Sequence, residues 1–366
     1  MALLDNVSLI RFQDYYFERV WGGRKLQSLY RKNLPADVPI GEDWLITDHA
    51  AHESVVTEGP LAGRTLRQLV ENDPENLLGT QPQLTRHGRF PLLLKLLDAA
   101  DVLSVQVHPD DICAEKLKES DIGKTEMWYV LHAEPRSQLI CGLHPGVSEE
   151  QLLQACGDAR LDTVLSVFEV HAGSAVFVPA GTVHAIGAGV ILAEIQQNSD
   201  LTYRLYDWGR VSDDRKSRPL HLDKAAKAIH WSRPHPGPAK PLLLERHRRD
   251  PSRMILAACR HFAAELVRIS GFETRETQQR SFHIVLCAHG SVALSAGADT
   301  LHLNPGEAGF VTGRTQQYTI EGEGSLLDYY VPELGRDIVG PLLESGYPLE
   351  EIRQLPDLGD ISGLAS

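Results

Sequence analysis

Residues 172–187 read AGSAVFVPAGTVHAIG, and residues 305–320 read PGEAGFVTGRTQQYTI. The two stretches align without gaps, pairing Gly173 with Gly306, Phe177 with Phe310 and Val178 with Val311. Each has the skeleton strand, Gly-containing turn, strand. Upstream, WYVLHA from Trp128 lies on HIVLCA from His283, and the first copy carries the longer spacer between its two blocks. Self-similarity of this kind marks a duplicated structural unit. Short β-rich runs between turns, such as LLLKLL, VLSVQV, MWYVLH and AVFVPA, dominate the middle of the chain, and with 30 Gly and 21 Pro they predict a mainly β protein made of barrels or sandwiches. Helices are expected only as small insertions at residues 65–72, 112–118, 149–156, 163–168 and 222–230. Ser148 and Gln151 form a capping box at the start of the third.

A chain of 366 residues suits two domains that each bury a core of their own. The stretch WSRPHPGPAK from Trp231 cannot donate a regular ladder of hydrogen bonds, so it is read as the linker. The domains are therefore placed at 1–235, with the chemistry, and 236–366.

The net charge of −13 is unfavourable for nucleic acid or an anionic membrane, and no stripe of Lys and Arg offsets it. No apolar run is long enough to span a bilayer. The first ten residues, MALLDNVSLI, lack the basic start of a secretory signal, and the five cysteines are scattered singly. A soluble cytoplasmic protein, monomeric or weakly self-associating, is expected.

Gln106 and His108 in VQVHPDD are two apart on an expected strand, so both side chains fall on one face. Glu126 opens the next strand, and His184 follows a Pro-Ala-Gly turn. Two imidazoles, a carboxylate and an amide oxygen suit zinc or a similar divalent ion. A lone strand histidine is more often a hydrogen-bonded structural residue, but the repeat alters that balance. In the second copy Gln317 stands at the position of His184 and Ser281 at that of Glu126. One copy holds ligand types and the other does not, as in a duplicated barrel with a single working site.

Charged groups surround this set. Lys95 interrupts the apolar run PLLLKLLDA, where an unpaired ammonium is costly to bury. Lys124 lies two before Glu126, on its face if the strand extends that far. Arg204 lies between Tyr203 and Leu205, and a partly buried guanidinium suits a phosphate or a developing enediolate charge.

The motifs KLLDAADVLSVQVHPDD from Lys95, GKTEMWYVL from Gly123, VPAGTVHAIGAG from Val178 and AEIQQNSDLTYRLYDWGR from Ala193 resemble, in order, those of the type I phosphomannose isomerases. The similarity runs from FERVWGGRKL at Phe17 to about Pro332, in the short form without a large helical insertion. IGEDWLITDH from Ile40 departs from the family's usual wording, and residues 335–366 have no counterpart. The resemblance implies two cupin-type jelly-roll barrels, the second without metal ligands. It implies one zinc per chain on Gln106, His108, Glu126 and His184, with Arg204 as the catalytic arginine. It also implies hexose 6-phosphate contacts from Lys95, Ser104 and Lys124, with Glu194 and Asp200 lining the same pocket. The implied activity is interconversion of mannose 6-phosphate and fructose 6-phosphate through a cis-enediol(ate); Glu194 is the candidate base, with a metal-bound water as its substitute. Two rivals are a metal cupin acting on another substrate and a non-catalytic sugar-phosphate binder.

Overall fold

The computed structural model describes residues 3–211, 217–232, 237–245, 252–355 and 358. Contacts divide the chain into two compact units: residues 16–43 with 95–238, and residues 1–15 with 44–94 and 239–366. This differs from a single cut after residue 235, because two N-terminal segments group with the C-terminal half. The expected cut itself, with linker residues 233–236, lies outside the described residues.

The unit containing residues 95–238 holds the first repeat copy. A six-stranded sheet runs in the order Ala175–Val178, Glu126–Ala133, Val190–Gln197, Leu92–Ala99, Tyr15–Gly23, Ile40–Ile46. A five-stranded sheet runs Leu165–Glu169, Gln138–Leu143, His184–Ile186, Val105–Val107, Tyr203–Tyr206. Trp128, Val130, Leu139, Cys141, Val176, Ile186 and Leu192 from strands of both sheets pack into one cluster. Strand periodicity explains why: alternate residues of each strand turn to the core, leaving the others free for different work. The architecture is mainly β and cupin-like. The described strands form open sheets, however, where closed barrels were expected.

In the other unit, eight strands make one sheet in the order Leu9–Ile10, Ala308–Val311, His283–Ala296, Gln317–Tyr330, Ala263–Glu276, Arg253–Ala258, Leu242–Leu243, with Asp299–Leu303 beside His283–Ala296. Three of these strands are 14 residues long. The segment after Leu334 is helical, over Gly335–Val339, Gly340–Glu344 and Leu349–Ile352. It buries Ile338, Leu342, Ile352, Leu355 and Leu358 against Leu244, Ile255, Ala258, Ala263 and Tyr330, so this tail belongs to the core of its unit.

Four expected helices are present, at Leu66–Asn72, Asp111–Lys116, Glu149–Gly157 and Leu222–Ala228. The capping box of Ser148 and Gln151 is formed as expected, and Thr65 and Gln68 make a second one. The segment at 163–168 is instead a 3₁₀ turn over Leu161–Thr163 followed by the strand Leu165–Glu169, which pairs with Gln138–Leu143. Leu165, Val167 and Phe168 favour the extended state there, and the neighbouring strand supplies its hydrogen-bond partner.

Candidate metal centre and substrate cavity

His184 is brought to its neighbours by a backbone turn. Gly181 adopts φ +84°, a left-handed conformation that side chains rarely take, and a Cβ at this position would run into the His230 ring. The Gly181 N–H donates to the His108 carbonyl at 2.7 Å, and its own carbonyl accepts from His230 N–H at 3.0 Å. The chain then enters His184–Ile186, where His184 pairs across the ladder with Gln106. Glu126 begins the strand Glu126–Ala133, as expected.

These elements bring His108, Glu126 and His184 together, all buried, with one donor atom from each lying within 4.8 Å of the others. Glu126 reaches both rings at 3.5 Å, one oxygen to each Nε2. The far side of each ring fixes its tautomer. His108 Nδ1 lies 2.8 Å from the Leu201 carbonyl and His184 Nδ1 lies 2.9 Å from the Thr182 carbonyl. A carbonyl only accepts, so both Nδ1 atoms carry the proton and both Nε2 lone pairs face Glu126. Burial lowers the His184 pKa to about 4 and that of His108 well below the ordinary histidine value, so both rings are neutral near pH 7. Burial, with Glu194 nearby, pushes Glu126 up to about 7. Two neutral imidazoles with inward lone pairs and a destabilised carboxylate form a donor set suited to a divalent cation. Gln106 completes the ring at 3.3 Å from His184 Nε2, but through its amide nitrogen. Ligation through its oxygen takes a half turn of the amide, away from the 3.2 Å contact with the Ser104 hydroxyl.

Beside this cluster lies a cavity of about 550 Å³. Every other sequence-predicted site residue lines it: Lys95, Ser104, Lys124, Glu194, Asp200 and Arg204. Lys95 is buried as its apolar run suggests, and its charge is met by Glu194 at 3.0 Å and Glu42 at 3.7 Å. Lys124 Nζ sits 2.6 Å from Glu126, 3.2 Å from Glu194 and 3.3 Å from His108 Nε2, joining cavity to cluster. Burial opposes its charge, but Glu126 and Glu194 outweigh that and hold its pKa above the ordinary lysine range. In Glu194, burial is outweighed by Lys124 and Lys95, and the carboxyl stays ionised. Its second oxygen accepts from the Trp128 indole N–H at 2.9 Å.

Arg204 is half-buried on the strand Tyr203–Tyr206, paired with Gln106. Its Nη1 donates to the Pro219 carbonyl at 3.0 Å, while Nε is a buried donor with no acceptor. Such a group costs free energy until an acceptor arrives. Asp200 lines the rim and is exposed.

Sequence reasoning missed Arg19, Glu42 and Arg218, which also line the cavity. Arg19 Nε donates to Glu42 at 2.7 Å. Glu42 had a readable signal, an acid inside the buried run IGEDWLI, the same kind that drew attention to Lys95. Arg218 had none: it is drawn in by Asp207, at 2.8 and 2.5 Å.

The mainly β fold and the buried His-Glu-His cluster define the class, a cupin with a candidate metal centre beside a charged cavity. Residues 9–127 match the family model of the phosphomannose isomerase type I catalytic domain, and residues 253–331 match that of the mannose-6-phosphate isomerase cupin domain. The mannose-6-phosphate isomerase ManA of Bacillus subtilis is 33% identical over 317 residues, which cover 85% of this chain and 95% of the relative. The mannose-6-phosphate isomerase of Streptococcus mutans is 38% identical over 222 residues, covering 61% and 68%. Among solved structures, the mannose 6-phosphate isomerase from Bacillus subtilis superposes with a TM-score of 0.79 at 29% identity over 88% of this chain and 99% of its own. A zinc-bound holo mannose 6-phosphate isomerase shares the fold, with a TM-score of 0.71 at 19% identity over 89% and 100%. This chain belongs to the mannose-6-phosphate isomerase family.

Proposed function

We propose that this chain interconverts mannose 6-phosphate and fructose 6-phosphate, using one zinc ion held by Gln106, His108, Glu126 and His184. The observation that carries this reading is the placement of Lys124 within hydrogen-bond reach of both the His-Glu-His cluster and Glu194, at the wall of a cavity that Lys95 and Arg204 share. Zinc at this position supplies a Lewis acid that favours negative charge on the C1 and C2 oxygens of the open-chain sugar.

The protein's own groups account for the rest. Aldose–ketose exchange moves a proton between C1 and C2 by way of a cis-enediol(ate), and its negative charge calls for fixed donors. Arg204 is the proposed donor, its unmatched Nε–H being satisfied as charge develops. Lys95 and Lys124 are the proposed phosphate anchors, and binding of the remote phosphate orients the reacting carbons. Ser104 and Asp200 are the proposed partners of sugar hydroxyls. Glu194 is the proposed proton carrier. Two ammoniums keep it ionised in the free protein, and drawing them to the phosphate raises its basicity when substrate arrives. Isomerisation of mannose 6-phosphate in a coupled assay tests this reading. Zinc-loaded protein that binds hexose 6-phosphates without turnover contradicts it.

A further inference from the structure

We propose that the unit containing residues 239–366 binds a phosphate group, free or as a monoester, in an arginine-lined cavity that occupies the place of the metal centre in the second repeat copy. The inference is independent of the isomerase reading. It begins from strand register. In the first copy His184 pairs with Gln106; in the second, Gln317, which the repeat sets at the position of His184, pairs with Glu276. Glu276 therefore stands for Gln106, and Gln278, two residues on, stands for His108. The repeat already sets Ser281 at the position of Glu126. No imidazole remains at any of these positions, so a divalent ion of the first copy's kind has no ligand set. Yet Glu276, Gln278 and Ser281 still line a cavity of about 610 Å³.

Four guanidinium groups line that cavity: Arg253, Arg275, Arg280 and Arg336. Arg275 has 6% of its side chain exposed. Its Nη2 donates to Glu265 at 3.0 Å and Asp328 at 2.9 Å, while Nη1 has no acceptor. The two carboxylates are themselves held, Glu265 by Arg253 and Asp328 by the Tyr318 hydroxyl and His283 Nδ1. The guanidinium is thus locked in place with a donor to spare, which is costly to bury unless an acceptor meets it. Arg280 and Arg336 share Asp337, at 3.7 and 2.8 Å, and an incoming anion can exchange with that partly exposed carboxylate. A phosphate offers three acceptor oxygens to forks approaching from different directions, a geometry guanidinium satisfies better than ammonium. In a chain of net charge −13, the lining sets these four arginines against three carboxylates, Glu265, Glu276 and Asp337, and so keeps a guanidinium in excess.

The test uses full-length, chelated protein, titrated calorimetrically with inorganic phosphate and with mannose 6-phosphate, as wild type and as the double variant Arg280→Ala, Arg336→Ala. Neither arginine touches the catalytic cavity. Wild type is expected to take up one more equivalent of mannose 6-phosphate than the variant, whose affinity at this cavity is weakened more than tenfold, while zinc-loaded samples of the two proteins isomerise within twofold of each other. Equal stoichiometry and affinity in the two proteins overturn the proposal. A second measurement needs no variant: phosphate is expected to slow amide exchange across residues 274–281 of wild type, and no slowing with either ligand overturns it. Slowing by inorganic phosphate alone identifies the free anion as the ligand. Slowing by the sugar ester only identifies an organic phosphate.

Discussion

The Nζ of Lys95 lies 3.0 Å from Oε1 of Glu194, with 5% and 3% of the two side chains exposed. Lys124 reaches the same oxygen, so Glu194 bridges two buried ammoniums whose other carboxylate partners are Glu42 and Glu126. Glu194→Gln therefore removes the carboxylate that both buried ammoniums share. Removing one partner of a buried pair costs on the order of 3 kcal/mol, which a urea midpoint reads directly. A midpoint within error of wild type contradicts the network as described.

Arg204 contacts the cavity and is not a member of the His-Glu-His cluster. Arg204→Ala is expected to lower kcat by about 10²- to 10³-fold, the usual loss when one fixed donor to a developing charge is removed. Zinc per chain, measured on the same samples, stays at the wild-type level. Loss of zinc in step with kcat shows instead that Arg204 supports the cluster and has no role in the chemistry.

Gly181→Ala forces a side chain into a left-handed turn and against His230. The expected outcome is a destabilisation of at least about 1 kcal/mol together with weaker zinc retention, because this turn ties the His108 backbone to the approach of His184. Wild-type zinc affinity in a destabilised Gly181→Ala protein separates the turn from the centre.

Much of this site was legible in the sequence because its residues break local rules. Lys95 in an apolar strand, two ligand types at period two in VQVHPDD, and a Pro-Ala-Gly turn before His184 each departs from what a structural strand needs. Comparison of the repeat copies then separated chemistry from packing. Arg218 was not legible, since it reaches the cavity through a tertiary pairing with Asp207 that has no local pattern. The strand Leu165–Glu169 was read as helix because its partner, Gln138–Leu143, is set apart from it by the helix Glu149–Gly157, so no local pattern announces the pairing. The grouping of residues 1–15 and 44–94 with the C-terminal half was equally hidden, being set by long-range contacts such as Leu9 pairing with Val311. The tail after Leu334 lacked a family counterpart, yet its buried Ile338, Leu342 and Ile352 fix it to its unit.

Acid stability follows from Glu265. Burial raises its pKa, but Arg253 and Arg275 outweigh that and hold it down to about 2, against an ordinary 4.5. The unfolded chain therefore binds this proton first. The stabilisation is fully present above about pH 4.5 and is lost as pH falls toward 2. In chelated protein, the gap in unfolding temperature between wild type and Glu265→Gln is expected to be largest above pH 5 and to shrink toward pH 2.5. A gap that stays constant over this range shows that the Glu265 carboxylate contributes no proton-linked stability.

A metal on Gln106, His108, Glu126 and His184 and the cavity beside it are proposed to act together on a hexose 6-phosphate. The most direct measurement follows mannose 6-phosphate conversion to fructose 6-phosphate by untagged protein of known metal content, before chelation, after it, and after return of zinc. Conversion abolished by chelation and restored by one equivalent of zinc is the expected result. Conversion that persists in fully chelated protein, or fails in fully zinc-loaded protein, contradicts the account.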